Sequence, residues 1–167
     1  MREQAMTGAI NNHSLNEFRG PQGRRRLINA LTAQTLIRDE DLANELATCV
    51  RVEEIPFRTT IITQGASDHY LVFILAGEFF VSVGRKVVVR RGPGQHVGET
   101  AVVDREARRS ATVTAGCDSV IARIGEPEFT AIADRFPSVW RRIALELAQR
   151  LRDASVRGKG AVADQAS

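Results

Sequence analysis

The chain has 167 residues, of which 43% are hydrophobic and 26% are charged, and its formal net charge is +3. This composition is typical of one soluble globular domain that is long enough to bury a core. A net charge this small gives no indication of nucleic-acid binding, and nearly all of the basic charge is arginine.

The N-terminal part of the chain is predicted to be a tail followed by two helices. Residues 1–23 have no sustained hydrophobic period, so we predict a flexible N-terminal tail there. Apolar residues at helical spacing follow, and they predict helices within residues 24–48. Asp39 is the candidate N-cap of the second helix, because Leu42 and Leu46 form one apolar face after it.

Residues 49–125 change to the period of short strands separated by turns. The β-rich runs are residues 51–57, 59–63, 70–75, 79–83, 87–91, 111–114 and 119–124. Many short strands at regular turn spacing favour an antiparallel β-roll or jelly-roll barrel over a parallel sheet. With the flanking N-terminal and C-terminal helices, the predicted fold class is α+β and mainly β.

Residues 126–157 return to a helical period and are predicted to form two helices. Pro137 is expected to end the first helix, and Ser138 can cap the second. The second helix carries one apolar stripe made of Trp140, Ala144, Leu147 and Leu151. This stripe predicts packing on the barrel or a homodimer seam. Residues 158–167 are Gly, Ala and polar, and are predicted to be a flexible tail or linker.

Residues 98–111 place one acid and one arginine on either side of a short turn-and-helix segment. Arg109 supplies a planar fork of donors for a phosphate. Free backbone N–H groups at the start of a short helix after Gly98 add positive potential. Glu99 can accept a hydrogen bond from a hydroxyl. The segment therefore suits a small anionic ligand with a sugar attached.

This segment resembles the phosphate-binding cassette of the cyclic nucleotide-binding domain family, with the cassette length of the catabolite activator protein branch. The resemblance implies that Glu99 holds the ribose 2′-hydroxyl and Arg109 holds the cyclic phosphate. It also implies that Ser110 adds a hydroxyl near the phosphate or base, and that the backbone around Thr100 and Ala101 completes the cradle. The predicted binding residues are Gly98, Glu99, Thr100, Ala101, Arg109, Ser110 and Ala111.

The resemblance covers roughly residues 36–155, with one departure. Where the family usually has a glycine before the second strand, residues 58–60 of this chain are Arg-Thr-Thr, which puts the local turn shape in doubt. In this family the last helix moves over the bound base as a lid, so Trp140 and Arg141 are expected to touch the ligand. The base itself stays open among adenine, guanine, uracil and cytosine.

No catalytic or metal site is predicted. The three histidines, His13, His69 and His96, are isolated, whereas a cupin-type metal enzyme would need a close histidine pair. Cys49 and Cys117 are far apart and outside any CxxC spacing. Residues 1–20 contain no apolar run, and residues 71–76 are too few to cross a bilayer. We therefore expect a cytoplasmic chain without cofactor, metal, membrane or nucleic-acid partner.

The predicted function is that of a non-enzymatic sensor domain, which binds a cyclic mononucleotide and relays the event through its C-terminal helices. One candidate parent is a Pycsar-type antiphage effector, where the resemblance implies sensing of cUMP or cCMP and control of a TIR-type NAD hydrolase or a membrane effector. Two rivals stay open: a degenerate interaction or dimerisation module, and a cupin-like enzyme.

Overall fold

The computed structural model describes residues 15–163, with side chains described as far as Ser155. A short 3-10 helix at Leu15–Phe18 precedes the main elements. In chain order these are α1 (Gly20–Thr32), α2 (Glu40–Cys49), β1 (Arg51–Ile55), β2 (Thr60–Ile62), β3 (Tyr70–Ala76), β4 (Phe79–Val83), β5 (Lys86–Arg91), β6 (His96–Val97), α3 (Thr100–Val103), β7 (Thr112–Ala115), β8 (Ser119–Gly125), α4 (Glu126–Ala133) and α5 (Pro137–Ala163).

The strands form two four-stranded antiparallel sheets, in the orders β1-β8-β3-β6 and β2-β7-β4-β5. Both sheets enclose an apolar core, and the helices pack outside the first sheet. The α+β class and the antiparallel β-roll with flanking helices are therefore confirmed.

Strand β3 is apolar along its whole length because both of its faces are buried. Side chains alternate across a strand. Leu71, Phe73 and Leu75 therefore point toward the helices, while Val72 and Ile74 point into the space between the sheets. The strand joins the two cores into one domain.

The first part of α5 is docked and the later part is more exposed. Val139 and Ile143 are buried in the core shared with α1, α2 and α4, whereas Leu145 and Leu151 are exposed. Burying each such apolar side chain contributes about 1.5–3 kcal/mol, so the start of α5 is the firmly held part. No helix within residues 15–163 is both long enough and apolar enough to cross a membrane.

The predicted N-terminal helices are present, with a different start. Helix α1 begins at Gly20, so the predicted tail boundary at residue 23 lies inside a helix. The predicted cap of α2 is confirmed, because Asp39 Oδ1 accepts a hydrogen bond from Leu42 N at 2.8 Å. Residues 1–14 of the predicted tail lie outside the described residues.

The C-terminal boundaries also differ from the prediction. Helix α4 ends at Ala133, and Pro137 is the first residue of α5, where its missing N–H costs nothing. Ser138 is therefore helical and is not the cap. Helix α5 continues to Ala163, six residues into the predicted tail, and residues 164–167 lie outside the described residues.

Arg58 adopts the backbone conformation that glycine usually takes. Its φ is 66°, in the left-handed region that costs a residue with a Cβ about 1–2 kcal/mol. Arg58 N donates to Ala115 O at 2.9 Å, which ties the turn to β7. The turn before β2 thus has a left-handed residue although that residue is not glycine, at the cost of local strain.

Candidate functional site

A cavity of about 730 Å³ opens between the sheet β2-β7-β4-β5, the cassette residues 98–111 and α5. Its size suits a small-molecule site. Its walls are partly apolar, formed by Ile62, Val81, Val83, Val88, Val89, Val97 and Val113. The charged lining residues are Arg91, Arg108, Arg109, Arg150, Glu99 and Asp153. Four arginines against two carboxylates give the cavity an excess of positive charge, which favours an anionic ligand.

Arg109 is buried at the end of the cassette and held in one orientation. Its residue is 5% exposed, Nε donates to Asp68 Oδ1 at 3.0 Å, and Nη2 donates to Tyr70 O at 3.0 Å. The guanidinium also lies 4.4 Å from the centre of the Tyr70 ring. Nη1 makes only a long contact of 3.4 Å to Gly98 O. Nη1 is therefore the donor least committed to the protein.

Asp68 and Tyr70 hold Arg109 in place. Burial alone would raise the pKa of Asp68, but hydrogen bonds with Arg109 and Tyr70 lower that pKa below its usual value. The carboxylate therefore stays ionised beside the guanidinium. Tyr70 is enclosed between Arg109 and Arg123, each 4.4 Å from its ring centre, and burial raises the pKa of its phenol.

Glu99 lies at the N-cap of α3 and is only 2% exposed. Its Oε1 accepts a charged hydrogen bond from Arg150 Nη1 of α5. Gly98 sets the turn before it, with φ 93°, and a Cβ there would lie 2.7 Å from Tyr70 O. Glycine is required at this position both for the φ angle and for the close approach. One backbone amide expected to be free is engaged, because Ala101 N donates to Gly98 O at 3.2 Å.

Residues 52–136 match the family model described as cyclic nucleotide-binding domain. The chain belongs to the cyclic nucleotide-binding domain family. The match spans both sheets, the cassette and α4.

The curated relatives are Pycsar effector proteins. The chain is 42% identical over 138 residues to the Pycsar effector protein XpPycTIR of Xanthomonas perforans, covering 82% of this chain and 46% of the relative. It is 41% identical over 138 residues to PaPycTIR of Pseudomonas aeruginosa, covering 82% of this chain and 45% of the relative. The cyclic nucleotide-binding domain described here thus spans about half the length of these relatives.

Solved structures share the fold. The regulatory domain of Toxoplasma gondii PKA, crystallised with cAMP, is similar with a TM-score of 0.61 and 26% identity, over 69% of this chain and 46% of that chain. The catabolite activator protein of Thermus thermophilus is similar with a TM-score of 0.65 and 23% identity, over 71% of this chain and 58% of that chain.

The structure brings the predicted cassette residues of this cyclic nucleotide-binding domain together. All seven line the same cavity: Gly98, Glu99, Thr100, Ala101, Arg109, Ser110 and Ala111. Glu99 and Arg109 are the two charged residues of this set, and both are almost completely buried. The carboxylate of Glu99 and the guanidinium of Arg109 therefore line the same cavity.

The predicted lid residues lie elsewhere. Trp140 packs edge-on against Phe129 at 5.6 Å, and its Nε1 donates to Asp134 Oδ1 at 3.0 Å. Arg141 is exposed and does not line the cavity. The α5 residues that do line it are Arg150, Asp153 and Ala154. Because an α-helix rises 1.5 Å per residue, Arg150 lies about 15 Å further along the axis than Trp140.

Sequence reasoning also missed Asp68, Tyr70, Arg91 and Arg150. Asp68 and Arg150 lie 41 and 51 residues from their cassette partners, so no local spacing connects them. Arg91 was detectable, because it lies two residues after Val89 on a predicted strand and therefore on the same face as that valine.

A second contact links α5 to the strand before the cassette. His96 of β6 is buried, and its Nε2 lies 3.1 Å from Glu146 Oε2, although the angles are not those of a well-aligned hydrogen bond. The interaction with His96 outweighs the effect of burial and lowers the pKa of Glu146. Within residues 15–163, no group of three His, Cys, Asp or Glu side chains is placed to hold a metal ion.

Proposed function

We propose that this domain binds a 3′,5′-cyclic nucleotide in the 730 Å³ cavity and passes the event to α5. One observation carries the proposal. Glu99 and Arg109, which are 2% and 5% exposed, face a single cavity although one is an anion and the other a cation. Two buried charges are costly to keep, and a cyclic nucleotide needs both of them.

The two ends of the sugar-phosphate use different partners. The singly charged cyclic phosphate accepts from Arg109 Nη1, and the ribose 2′-hydroxyl donates to Glu99. Hydrogen bonds to charged groups contribute about 1.5–3 kcal/mol each, or about ten- to hundredfold in affinity. Asp68 and Tyr70 reduce the cost of binding, because they already hold the guanidinium in position.

The relay follows from the pairing of Glu99 with Arg150. In the structure Arg150 donates to Oε1 of the carboxylate that is proposed to hold the ribose hydroxyl. A bound ribose competes with Arg150 for this carboxylate. It therefore favours a different position of the second half of α5. A ligand shifts such an equilibrium only by its difference in affinity between the two helix positions.

We further infer that the domain is the sensor part of an antiphage effector. The support is its identity of 42% with a Pycsar effector protein over 82% of this chain. In that role the ligand is cUMP or cCMP, the domain itself performs no catalysis, and α5 leads to the output segment. Homodimerisation through α5 and a cytoplasmic location stay predictions.

Isothermal titration calorimetry tests the proposal with cUMP, cCMP, cAMP and cGMP, with linear 5′-UMP as the matched control. We expect at least one cyclic nucleotide to bind and the linear one to bind at least about tenfold more weakly. The 2′-deoxy form of the preferred ligand should lose about tenfold or more in the wild type, and no more than about twofold in Glu99→Ala. Absence of binding by all four cyclic nucleotides would favour the degenerate interaction module.

A further inference from the structure

Arg91 is a charged residue on an apolar inner face. It ends β5 and pairs in register with Phe79 of β4, a core residue, while Val89 pairs with Val81. Residues directly opposite each other on antiparallel strands point to the same side of the sheet. Arg91 therefore points inward, and it lines the cavity together with these valines.

The guanidinium of Arg91 makes no hydrogen bond and no close ion pair with the residues that the structure describes, although the charges of Glu99 and Glu146 act on it from a greater distance. Arg91 is half-buried. Burial and the charge of Arg150 lower its pKa, against the opposing effect of Glu99 and Glu146. The N–H donors of Arg91 are not among the buried side-chain atoms that lack a partner, so in the free domain they reach the open cavity, where a ligand acceptor can take the place of water.

The base of the proposed ligand is assigned to the part of the lining that includes Arg91, and this step rests on the proposed function. Arg91 also lines the neighbouring cavity formed with His96, Glu146 and Arg150. Arg109 takes the phosphate and Glu99 takes the ribose. The lining that then remains on β4 and β5 is Val81, Val83, Val88, Val89 and Arg91. Valine side chains suit the flat apolar face of a base, and the guanidinium meets its polar edge.

We propose that Arg91 reads a carbonyl oxygen of the base, so that the site favours uracil, cytosine and guanine over adenine. An arginine has five N–H donors and no acceptor. Uracil, cytosine and guanine each carry a carbonyl oxygen on the ring. Adenine has none, and two of its ring nitrogen acceptors, N1 and N7, lie beside the 6-amino group, which is itself a donor. A donor that a bound ligand encloses against another donor discriminates strongly between ligands.

The test compares Arg91→Met with Arg108→Met by calorimetry on the four cyclic nucleotides and on the base-free 1-deoxyribose 3′,5′-cyclic phosphate. Methionine keeps the length and the apolar stem. Arg108 lines the same cavity but is exposed and donates to Gly65 O at 3.0 Å, so its loss removes the same charge without the inward position.

We expect Arg91→Met to weaken the carbonyl-bearing ligands about ten- to hundredfold, with cAMP and the base-free probe changed by less than about threefold. Arg108→Met should weaken all five by a similar small factor. Equal losses for all five ligands with Arg91→Met, or no losses, would overturn the inference while leaving cyclic nucleotide binding intact. If the wild type binds none of the four nucleotides, the proposed function fails as well. Should Arg91→Met not fold, Arg91→Lys keeps the charge but not the fork, and an unchanged base ranking there would count against the inference.

Discussion

Replacing Arg150 by methionine is the most informative perturbation, because the direction of the change in ligand affinity distinguishes two roles of this arginine. In the structure Arg150 pairs with Glu99, the carboxylate proposed to hold the ribose. If Arg150 competes with the ligand, removing it frees Glu99 and tightens binding. If Arg150 instead contacts the bound ligand, the same change weakens binding.

The size of the effect follows from the burial of the pair. The Arg150 side chain is 41% exposed and that of Glu99 is 3% exposed. Fully exposed pairs contribute about 0.2–1 kcal/mol, whereas breaking a buried pair costs about 3–5 kcal/mol. A pair between these limits is worth about 1–2 kcal/mol, so we expect the dissociation constant to fall about five- to thirtyfold.

The assay is calorimetry with the preferred cyclic nucleotide, combined with hydrogen exchange of α5. Arg152→Met is the matched control, because Arg152 lies on the same helix and donates to Gln149 Oε1 at 2.6 Å without reaching the cavity. We expect Arg150→Met to bind more tightly and its α5 amides to exchange faster before ligand is added, with Arg152→Met unchanged in both. Weaker binding by Arg150→Met would refute competition for Glu99.

Three further predictions concern the cassette and its surroundings. Arg109→Ala should weaken cyclic nucleotide binding about ten- to hundredfold by calorimetry, and Arg108→Ala, which removes an exposed neighbour, at most about threefold; equal losses would contradict the assigned role. Gly98→Ala would place a Cβ 2.8 Å from Arg109 Nη1 at a φ of 93°, so we expect a lower Tm and weaker binding together, and a variant with unchanged affinity would count against the placement of Arg109. The pKa of Glu146 is lowered chiefly by its interaction with His96. The contribution of this pairing to stability is therefore complete above the ordinary glutamate pKa of 4.5 and is lost as the pH falls through the lower folded value. As the pH is lowered from about 5 to about 3, the Tm of Glu146→Gln should therefore fall less than the Tm of the wild type. Parallel curves of Tm against pH would exclude this contribution.

The features that the sequence predicted well are local ones. The run from Gly98 to Arg109 carries its turn, its acid and its arginine within a few residues, and these residues line one cavity. The β-rich run of residues 70–75 likewise predicted a strand, and the structure has β3 at Tyr70–Ala76. Contacts between distant segments carried no such signal. Asp68, which holds Arg109, lies 41 residues from it in the sequence, and Arg150, the partner of Glu99, lies 51 residues from it.

The position of the lid shows what a helical period can and cannot predict. The stripe beginning at Trp140 identified an apolar face, and Trp140 and Leu147 do pack against the core. Ala144 and Leu151 of the same stripe are exposed, while Val139 and Ile143 are buried. A period gives the face of a helix but not the point along its axis where it meets another element. That point depends on the positions of α4 and the cassette in the fold, and these positions are set by the tertiary structure.

The contact between Glu99 and Arg150 makes one carboxylate serve both ligand binding and helix position. A coupling of about 1–2 kcal/mol changes an equilibrium between two helix positions by a factor of about five to thirty. Such a factor is small beside the roughly 10⁴ needed to move a population from 1% to 99%. A domain that relied on this pair alone would therefore switch only from a resting state near balance. The His96–Glu146 contact one helical turn earlier adds a second tie of α5 to the strand that enters the cassette. Arg150 Nη2 also lies 4.0 Å from Glu146 Oε2, so the two contacts are coupled and their free energies are not simply additive. The double variant Arg150→Met with Glu146→Gln should still bind more tightly than either change alone.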